Sequence, residues 1–300
     1  MKVLVLGGSG FLGNNIVKEF SKNHDEAISF DLHHESIFEN VSYIDGNVFT
    51  DDIFSIIDKC DCVIYAVCTI RTNNCDETFK NAYRNDFIKG VEIFEYCSIH
   101  KKKVIYLSSG GTVYGDPDVI PTDELQPLRP ISHYGVLKVA LENVAHVFNK
   151  KYGLNILSAR IANPYGPGQD YKKGIGFIDA IIRKSLNSEE ITIFGDGSIV
   201  RDYIYVEDVA RILVNIAHSP FNFEEINIGT GVGTSQNEII GIFKELGYNS
   251  KAVYTDKRGF DVKKNILDIK RLKSVYKDEL VNLRDGIKAY ISYILKENKL

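Results

Sequence analysis

Four apolar residues, Val3-Leu4-Val5-Leu6, run directly into Gly7-Gly8-Ser9-Gly10-Phe11-Leu12-Gly13, and this junction constrains the fold more than any other stretch. A short strand, a glycine-rich turn and a helix-like stretch with Phe11, Leu12, Ile16, Val17 and Phe20 on one side make the opening of a βαβ unit. A diphosphate needs close backbone approach and unpaired N–H donors at a helix N-terminus, and the glycines at 7, 10 and 13 leave room for both. Gly7, Gly10, Phe11, Leu12 and Gly13 are therefore the expected contacts of a dinucleotide diphosphate. Asp31 closes the next apolar run roughly 20 residues further on, where a carboxylate accepts from the adenosine ribose hydroxyls and repels a 2′-phosphate. NAD is favoured over NADP. Asn47 and Val48, after the third run, are placed to reach the adenine edge.

The runs Val3–Leu6, Ala27–Phe30, Ser42–Ile44, Cys62–Val67, Val104–Leu107 and Ile156–Ile161 alternate with amphipathic stretches. Their hydrophobicity is continuous rather than alternating, as in strands covered on both faces, so the pattern predicts an α/β fold with a doubly wound parallel sheet over residues 1–162. From Asn163 the texture changes: Asn163-Pro164-Tyr165-Gly166-Pro167-Gly168 is rich in turn formers, and later elements are short. Residues 163–300 are expected to form mainly a smaller mixed lobe, with elements near 200–230 returning to the sheet.

Composition narrows the function classes. The formal charge of −4 and the spread of the 36 basic residues, with only Lys101-Lys102-Lys103 in a run, argue against a dedicated nucleic-acid or anionic-membrane binder. The longest apolar run, Cys62–Val67, is far below the roughly 20 residues that cross a bilayer, and Gly7–Gly10 interrupts the first run before a signal-peptide core forms. A cytoplasmic protein is expected. Cys60, Cys62, Cys68, Cys75 and Cys97 include no CxxC pair and no histidine at ligand spacing, so free thiols and no metal are expected.

Tyr134-Gly135-Val136-Leu137-Lys138 stacks a phenol and an ammonium on one helix face. A free tyrosine has a pKa near ~10, and an adjacent cation lowers it, which makes the pair a candidate acid/base unit. Tyrosine and lysine at this spacing also occur as surface pairs. Position favours the functional reading, because the pair follows a run ending in Leu107-Ser108-Ser109, at the carboxyl edge where open α/β sheets place ligands.

With these residues in place, the chain resembles the extended short-chain dehydrogenase/reductases, and among them the NAD-dependent sugar-nucleotide epimerases and dehydratases, most closely the UDP-galactose 4-epimerase-like branch. The resemblance runs nearly end to end, through GGSGFLG at 7–13, Asp31, SSGGTVYG at 108–115, YGVLK at 134–138, NPYGPGQ at 163–169, GDGSIVRDYIYVEDVA at 195–210 and Arg258-Gly259-Phe260-Asp261. It implies a Rossmann domain with a substrate-binding lobe. Tyr134 is then the acid/base, Lys138 binds the nicotinamide ribose, and Ala66 and Asn85 line the cofactor path. Asn163 and Arg201 contact the substrate diphosphate, Arg258 and Asp261 hold its phosphate and ribose, and Asn265 borders the pocket at the sugar's C2 substituent. Asn265 as a helix cap for Ile266–Arg271 is the alternative. Relatives pair the helices expected at 77–100 and 133–152 into a homodimer core, with Phe87, Val91, Phe94 and Val147 as outward candidates; mass in solution reports this directly.

One departure stands out. Family members carry Ser or Thr where this chain has Gly110, leaving Thr112 or Ser109 to supply the hydroxyl beside the sugar. Gly111 and Thr112 also occupy the places of the dehydratases' Asp and Glu, and neither transfers protons at neutral pH, which disfavours dehydration. The expected activity is 4-epimerisation of a UDP-hexose or UDP-N-acetylhexosamine through transient oxidation at C4. A 4-ketohexose-nucleotide reductase of the same fold and an impaired NAD-binding sensor are the alternatives. Asp31→Ala should weaken NAD binding and narrow its advantage over NADP in a titration with both; tighter NADP binding by the unaltered protein would reverse the reading of Asp31.

Overall fold

The computed structural model describes residues 1–70, 75–173, 176–256 and 262–297. The chain winds through β1 (Lys2–Leu6), α1 (Phe11–Lys22), β2 (Glu26–Asp31), β3 (Val41–Asp45), α2 (Phe54–Ile57), β4 (Cys62–Tyr65), α3 (Cys75–Ile99), β5 (Lys103–Ser109), α4 (His133–Tyr152) and β6 (Ile156–Ile161). It continues through β7 (Asn163–Tyr165), α5 (Phe177–Leu186), β8 (Ile191–Phe194), β9 (Val200–Tyr205), α6 (Val206–His218), β10 (Glu225–Ile228), β11 (Gly233–Ser235), α7 (Gln236–Glu245), β12 (Ala252–Thr255), β13 (Lys264–Asn265), α8 (Lys270–Val275) and α9 (Leu283–Glu297).

Seven strands form one parallel sheet in the order β10-β6-β5-β4-β1-β2-β3. Val3, Leu4, Val5 and Leu6 are all fully buried, which explains why the run is apolar without alternation. Val3 and Val5 pack with Ile16, Val17 and Phe20 of α1 and with Val209 and Leu213 of α6. Leu4 and Leu6 pack on the other face with Ile93 of α3 and Leu137 and Leu141 of α4. The late strand β10 joins the sheet beside β6.

Two expectations change. Phe94 is not an outward residue: it is fully buried and packs edge-on against Tyr65 and Tyr106, with ring centroids 6.0 and 5.5 Å away. Val147, at 60% exposure, does face outward, and Phe87 and Val91 are half-buried. The fourth strand stops at Tyr65 rather than Val67. Residues 66–70 leave the sheet because Thr69 is drawn to α3, where Asp86 accepts from its backbone N–H and its hydroxyl at 2.7 and 2.8 Å.

The remaining strands build a second layer. In it β9 pairs with β7 and β13 in parallel and with β11 antiparallel, while β8 and β12 form a separate pair. Ile178, Ile181, Ile193, Ile239, Phe243, Ile287 and Tyr290 fill its core. Among the described residues, no helix is long and apolar enough to cross a membrane.

Under the carboxyl edge of the large sheet lies a buried ion pair. Arg160 of β6 donates to Glu142 of α4 from Nε at 3.0 Å and Nη2 at 2.7 Å, Ser108 of β5 donates to the same carboxylate, and Arg160 Nη1 donates to Tyr114 and to the Glu124 carbonyl, each at 3.0 Å. Both charges are over nine-tenths buried, so removing one strands the other in a low-dielectric interior. Glu142→Gln should cost about 3–5 kcal/mol of stability in a denaturant titration; a loss below about 1 kcal/mol would show that the pair is not buried in solution.

Candidate active site

The diphosphate end is shaped by what glycine permits. Gly7 has φ +84°, a value that side chains resist, and a Cβ there would lie 3.1 Å from the Ala66 carbonyl carbon and 3.2 Å from Val67 N. A Cβ on Gly13 would overlap Gly7 O. Gly10 is different: it is exposed, and its Cβ direction meets only Gly7 O at 3.3 Å, so packing does not demand glycine there. Helix α1 begins at this point with no side-chain cap and no acidic residue in its first turn. Its first N–H groups, with Phe11 and Leu12 among them, have no carbonyl one turn earlier. An uncapped helix start beside a bare backbone suits a diphosphate.

Asp31 stands at the end of β2 against this turn. Its Oδ2 accepts from Ser9 N at 2.9 Å and its Oδ1 from Leu32 N at 2.8 Å, which fixes the carboxylate beside the glycine turn. Asn47 accepts from Phe49 N with its side-chain oxygen at 3.0 Å and Val48 is buried behind it, so the amide N–H groups of Asn47 are what remains for an adenine. Ala66 is half-buried in the segment after β4. Asn85 is exposed on the flank of α3, and its neighbour Asp86 is the residue turned inward. On a helix one position is about 100° of rotation, so the two side chains have different surroundings. The turn after β7 covers the outer side of α1: Asn15 Nδ2 donates to Phe11 O and to Pro167 O, both at 2.9 Å.

The chemical end gathers Tyr134, Lys138 and Ser109. Helix α4 is capped by Ser132, whose hydroxyl accepts from Gly135 N, and it carries Tyr134, Lys138 and Glu142 as one row facing the end of β5. Lys138 is 4% exposed, donates to Leu107 O at 2.8 Å, and lies 4.9 and 5.5 Å from the ring centres of Tyr106 and Tyr134. Ser109 lies close enough to the Tyr134 hydroxyl to favour its ionised form. Thr112 caps the turn that follows, its N–H donating to Ser109 O at 3.1 Å and its hydroxyl to the same oxygen at 3.5 Å.

The expected lowering of the Tyr134 pKa does not occur in the protein alone. Burial pushes the phenol above its ordinary value, opposed by Lys138 and Ser109 and reinforced by Cys68. For Lys138 burial opposes the charge, but the surrounding Cys68, Tyr134, Asp86 and Glu142 outweigh it and hold the pKa above that of a free lysine. The ammonium therefore stays charged and the phenol stays protonated at neutral pH. Burial also pushes the thiols of Cys62 and Cys97 up to about 12, which makes them packing residues.

On the substrate side, strand register brings the candidates together. Asn163 lies opposite Tyr203 across β7 and β9, and Asn265 lies opposite Arg201 across β13 and β9. Asn163 Nδ2 donates to Asp202 O at 2.8 Å, and Arg201 is half-buried with Nη1 on Val200 O at 2.9 Å. Asp202 is not paired with Arg201; it is fully buried and accepts from Thr230 N, Thr230 Oγ1 and Gly231 N at 2.7–3.0 Å. Asn265 is fully buried, with Nδ2 on Gly110 O at 3.1 Å and no hydrogen-bond partner for Oδ1 among the described residues. It caps no helix, since α8 starts only at Lys270. Arg258 and Asp261 lie outside the described residues.

The profile of the NAD dependent epimerase/dehydratase family matches residues 3–229. The chain belongs to that family. A Methanocaldococcus jannaschii protein provisionally named UDP-glucose 4-epimerase is 33% identical over 99% of both chains. The Thermotoga maritima UDP-glucose 4-epimerase, solved with UDP-glucose, is similar with a TM-score of 0.91 and 31% identity over 99% of this chain and 100% of that one. A UDP-N-acetylglucosamine 4-epimerase of Methanobrevibacter ruminantium, solved with UDP-N-acetylmuramic acid, gives 0.90 and 26% over 99% and 98%.

Within this epimerase/dehydratase frame, Gly110 takes on a different meaning from the one its sequence position implies. Successive residues at the end of β5 alternate in direction: Ser108 turns to Glu142, Ser109 to Tyr134, and position 110 back again. A Cβ on Gly110 would lie 2.6 Å from Leu267 Cδ1 and 2.9 Å from the Arg160 carbonyl oxygen, in the wall behind the site. A hydroxyl at 110 would not face Tyr134; Ser109 is the serine on that side. Gly110→Ser should lower Tm by several degrees, as overpacking of about 1–3 kcal/mol does in a chain of this size, with no gain in turnover. Higher turnover with an unchanged Tm would return the hydroxyl to position 110.

Proposed function

We propose that the protein is a nucleotide-sugar 4-epimerase acting on a UDP-hexose or UDP-N-acetylhexosamine. The observation that carries this reading is the convergence of three structures on one edge: the uncapped start of α1, the Ser109–Tyr134–Lys138 group, and the β7–β9–β13 cluster with its unpartnered Asn265 oxygen. The residues at 7–13 and Asp31 fit NAD, which when bound takes up and returns a hydride.

The chain's own groups supply the rest. Tyr134 removes the proton of the sugar 4-hydroxyl and gives it back, acting at its phenol oxygen. Ser109 and the buried Lys138 charge both favour the phenolate, as would positive charge on an oxidised cofactor. Arg201 offers a planar fork to a diphosphate and Asn163 an amide. Asn265 matches an N-acetyl group, because its free oxygen can accept the acetamido N–H. Epimerisation needs the 4-keto sugar to turn over so that hydride returns to its opposite face, with one phenol serving the 4-oxygen in both orientations and no second proton-transfer group, in keeping with glycine and threonine at 111 and 112.

The test is incubation with UDP-glucose, UDP-galactose and their N-acetylated counterparts, following product isomers and absorbance at the NADH band. Interconversion without net NADH is expected, and Tyr134→Phe should lower turnover by about 10² to 10⁴ while NAD still binds. Asn265→Tyr should reduce kcat/KM for the N-acetylated pair more than for the plain hexoses. Stoichiometric NADH turnover would favour the reductase, and inactivity on every sugar the sensor.

A further inference from the structure

Helix α3 carries a carboxylate that neither the proposed chemistry nor the family resemblance uses. Asp86 is 1% exposed, and among the described residues no cation lies within ion-pair distance of it. A buried carboxylate persists in such a place only when donors satisfy it. Among the described residues Thr69 supplies two: the backbone N–H reaches Oδ2 at 2.7 Å and the hydroxyl reaches Oδ1 at 2.8 Å. The Tyr65 hydroxyl donates to the Asp86 carbonyl at 3.5 Å, joining the last residue of β4 to the same helical turn.

The segment held in this way spans the site. At its start, Ala66 N donates to Leu6 O at 3.0 Å, and the backbone of Ala66 and Val67 lies so close to Gly7 that a Cβ there would sit 3.1–3.2 Å away. Further along, the Cys68 thiol lies within electrostatic reach of Tyr134 and Lys138. Residues 66–70 thus run from the glycine turn to the catalytic pair, along the floor that a dinucleotide crosses. We propose that Asp86 is a positioning residue for the cofactor: its carboxylate latches residues 66–70 onto α3 and so sets where their backbone stands between the glycine turn and Tyr134. An asparagine would keep both contacts, its amide oxygen accepting from the Thr69 N–H and its NH2 donating to the Thr69 hydroxyl oxygen, whereas alanine removes both.

This inference rests on the NAD reading, and the experiment separates the two. NAD affinity is measured by calorimetry on the purified full chain, together with Tm and the sugar KM at saturating NAD. Asp86→Ala should raise the NAD dissociation constant about tenfold or more, the range expected when hydrogen bonds to a charged group are lost. Thr69→Val, which keeps the N–H and removes the hydroxyl, should raise it about threefold, Thr69→Ser should match the parent, and the sugar KM should stay unchanged in all three. Thr69→Val also keeps the idea testable if Asp86→Ala folds poorly. NAD binding within twofold of the parent in both Asp86→Ala and Thr69→Val would overturn the latch, as would a lowered Tm with unaltered affinity in the folded fraction. A parent protein that binds no NAD would remove the cofactor reading first, and the latch with it.

Discussion

Lys138 brings a full positive charge to a place where water reaches only 4% of the side chain, and such a charge survives burial only where oxygen atoms, ring faces and negative charge replace its hydration. The structure around it supplies each of these. The Leu107 carbonyl has to face α4, the Tyr106 and Tyr134 rings have to flank the ammonium, and Asp86 and Glu142 provide the longer-range negative field. With the Leu107 carbonyl fixed, the next side chains on β5 have no freedom: Ser108 goes to Glu142 and Ser109 to Tyr134. The row Tyr134, Lys138, Glu142 on α4 and the end of β5 are therefore one object, and the chemistry stands on it.

The second layer reaches the same object through β9. That strand aligns Asn163 on one side and Asn265 on the other, and Asn265 reaches across to the carbonyl of Gly110 in the turn after β5. Asp202, next to Arg201 in sequence, spends its carboxylate on the 230–231 turn. The arginine and the aspartate therefore serve different structures.

What could be read from the sequence was whatever depends on local spacing. The glycines at 7, 10 and 13, the placement of Asp31 and the Tyr134–Lys138 pair follow from periods of strand and helix, and the apolar runs gave the strands to within a few residues. What escaped depends on partners distant in the chain. The direction of position 110 is set by Leu267 and by the Arg160 carbonyl, and the early end of β4 is set by Asp86. The buried carboxylate of Asp86 escaped because a 25-residue helix with a weakly defined apolar face does not announce which positions turn inward. The raised Tyr134 pKa escaped because burial of the phenol, which no spacing reveals, outweighs the neighbouring cation.

The order of strands also governs how the molecule comes into being. A growing chain that has emerged as far as residue 162 holds six strands of the large sheet, but β6 is still an open edge, because its outer neighbour β10 is made only at residues 225–228. One face of that nascent sheet is bare as well, since Val209, Ile212, Leu213 and Ile216 of α6 have yet to cover it, and Leu267 and Leu272 close the same cluster later still. Asn15 meanwhile waits for the carbonyl of Pro167. The nucleotide-binding half is thus the first part synthesised and among the last completed, and through most of translation it presents a sticky edge and an oily surface that only the far end of the same chain can cover.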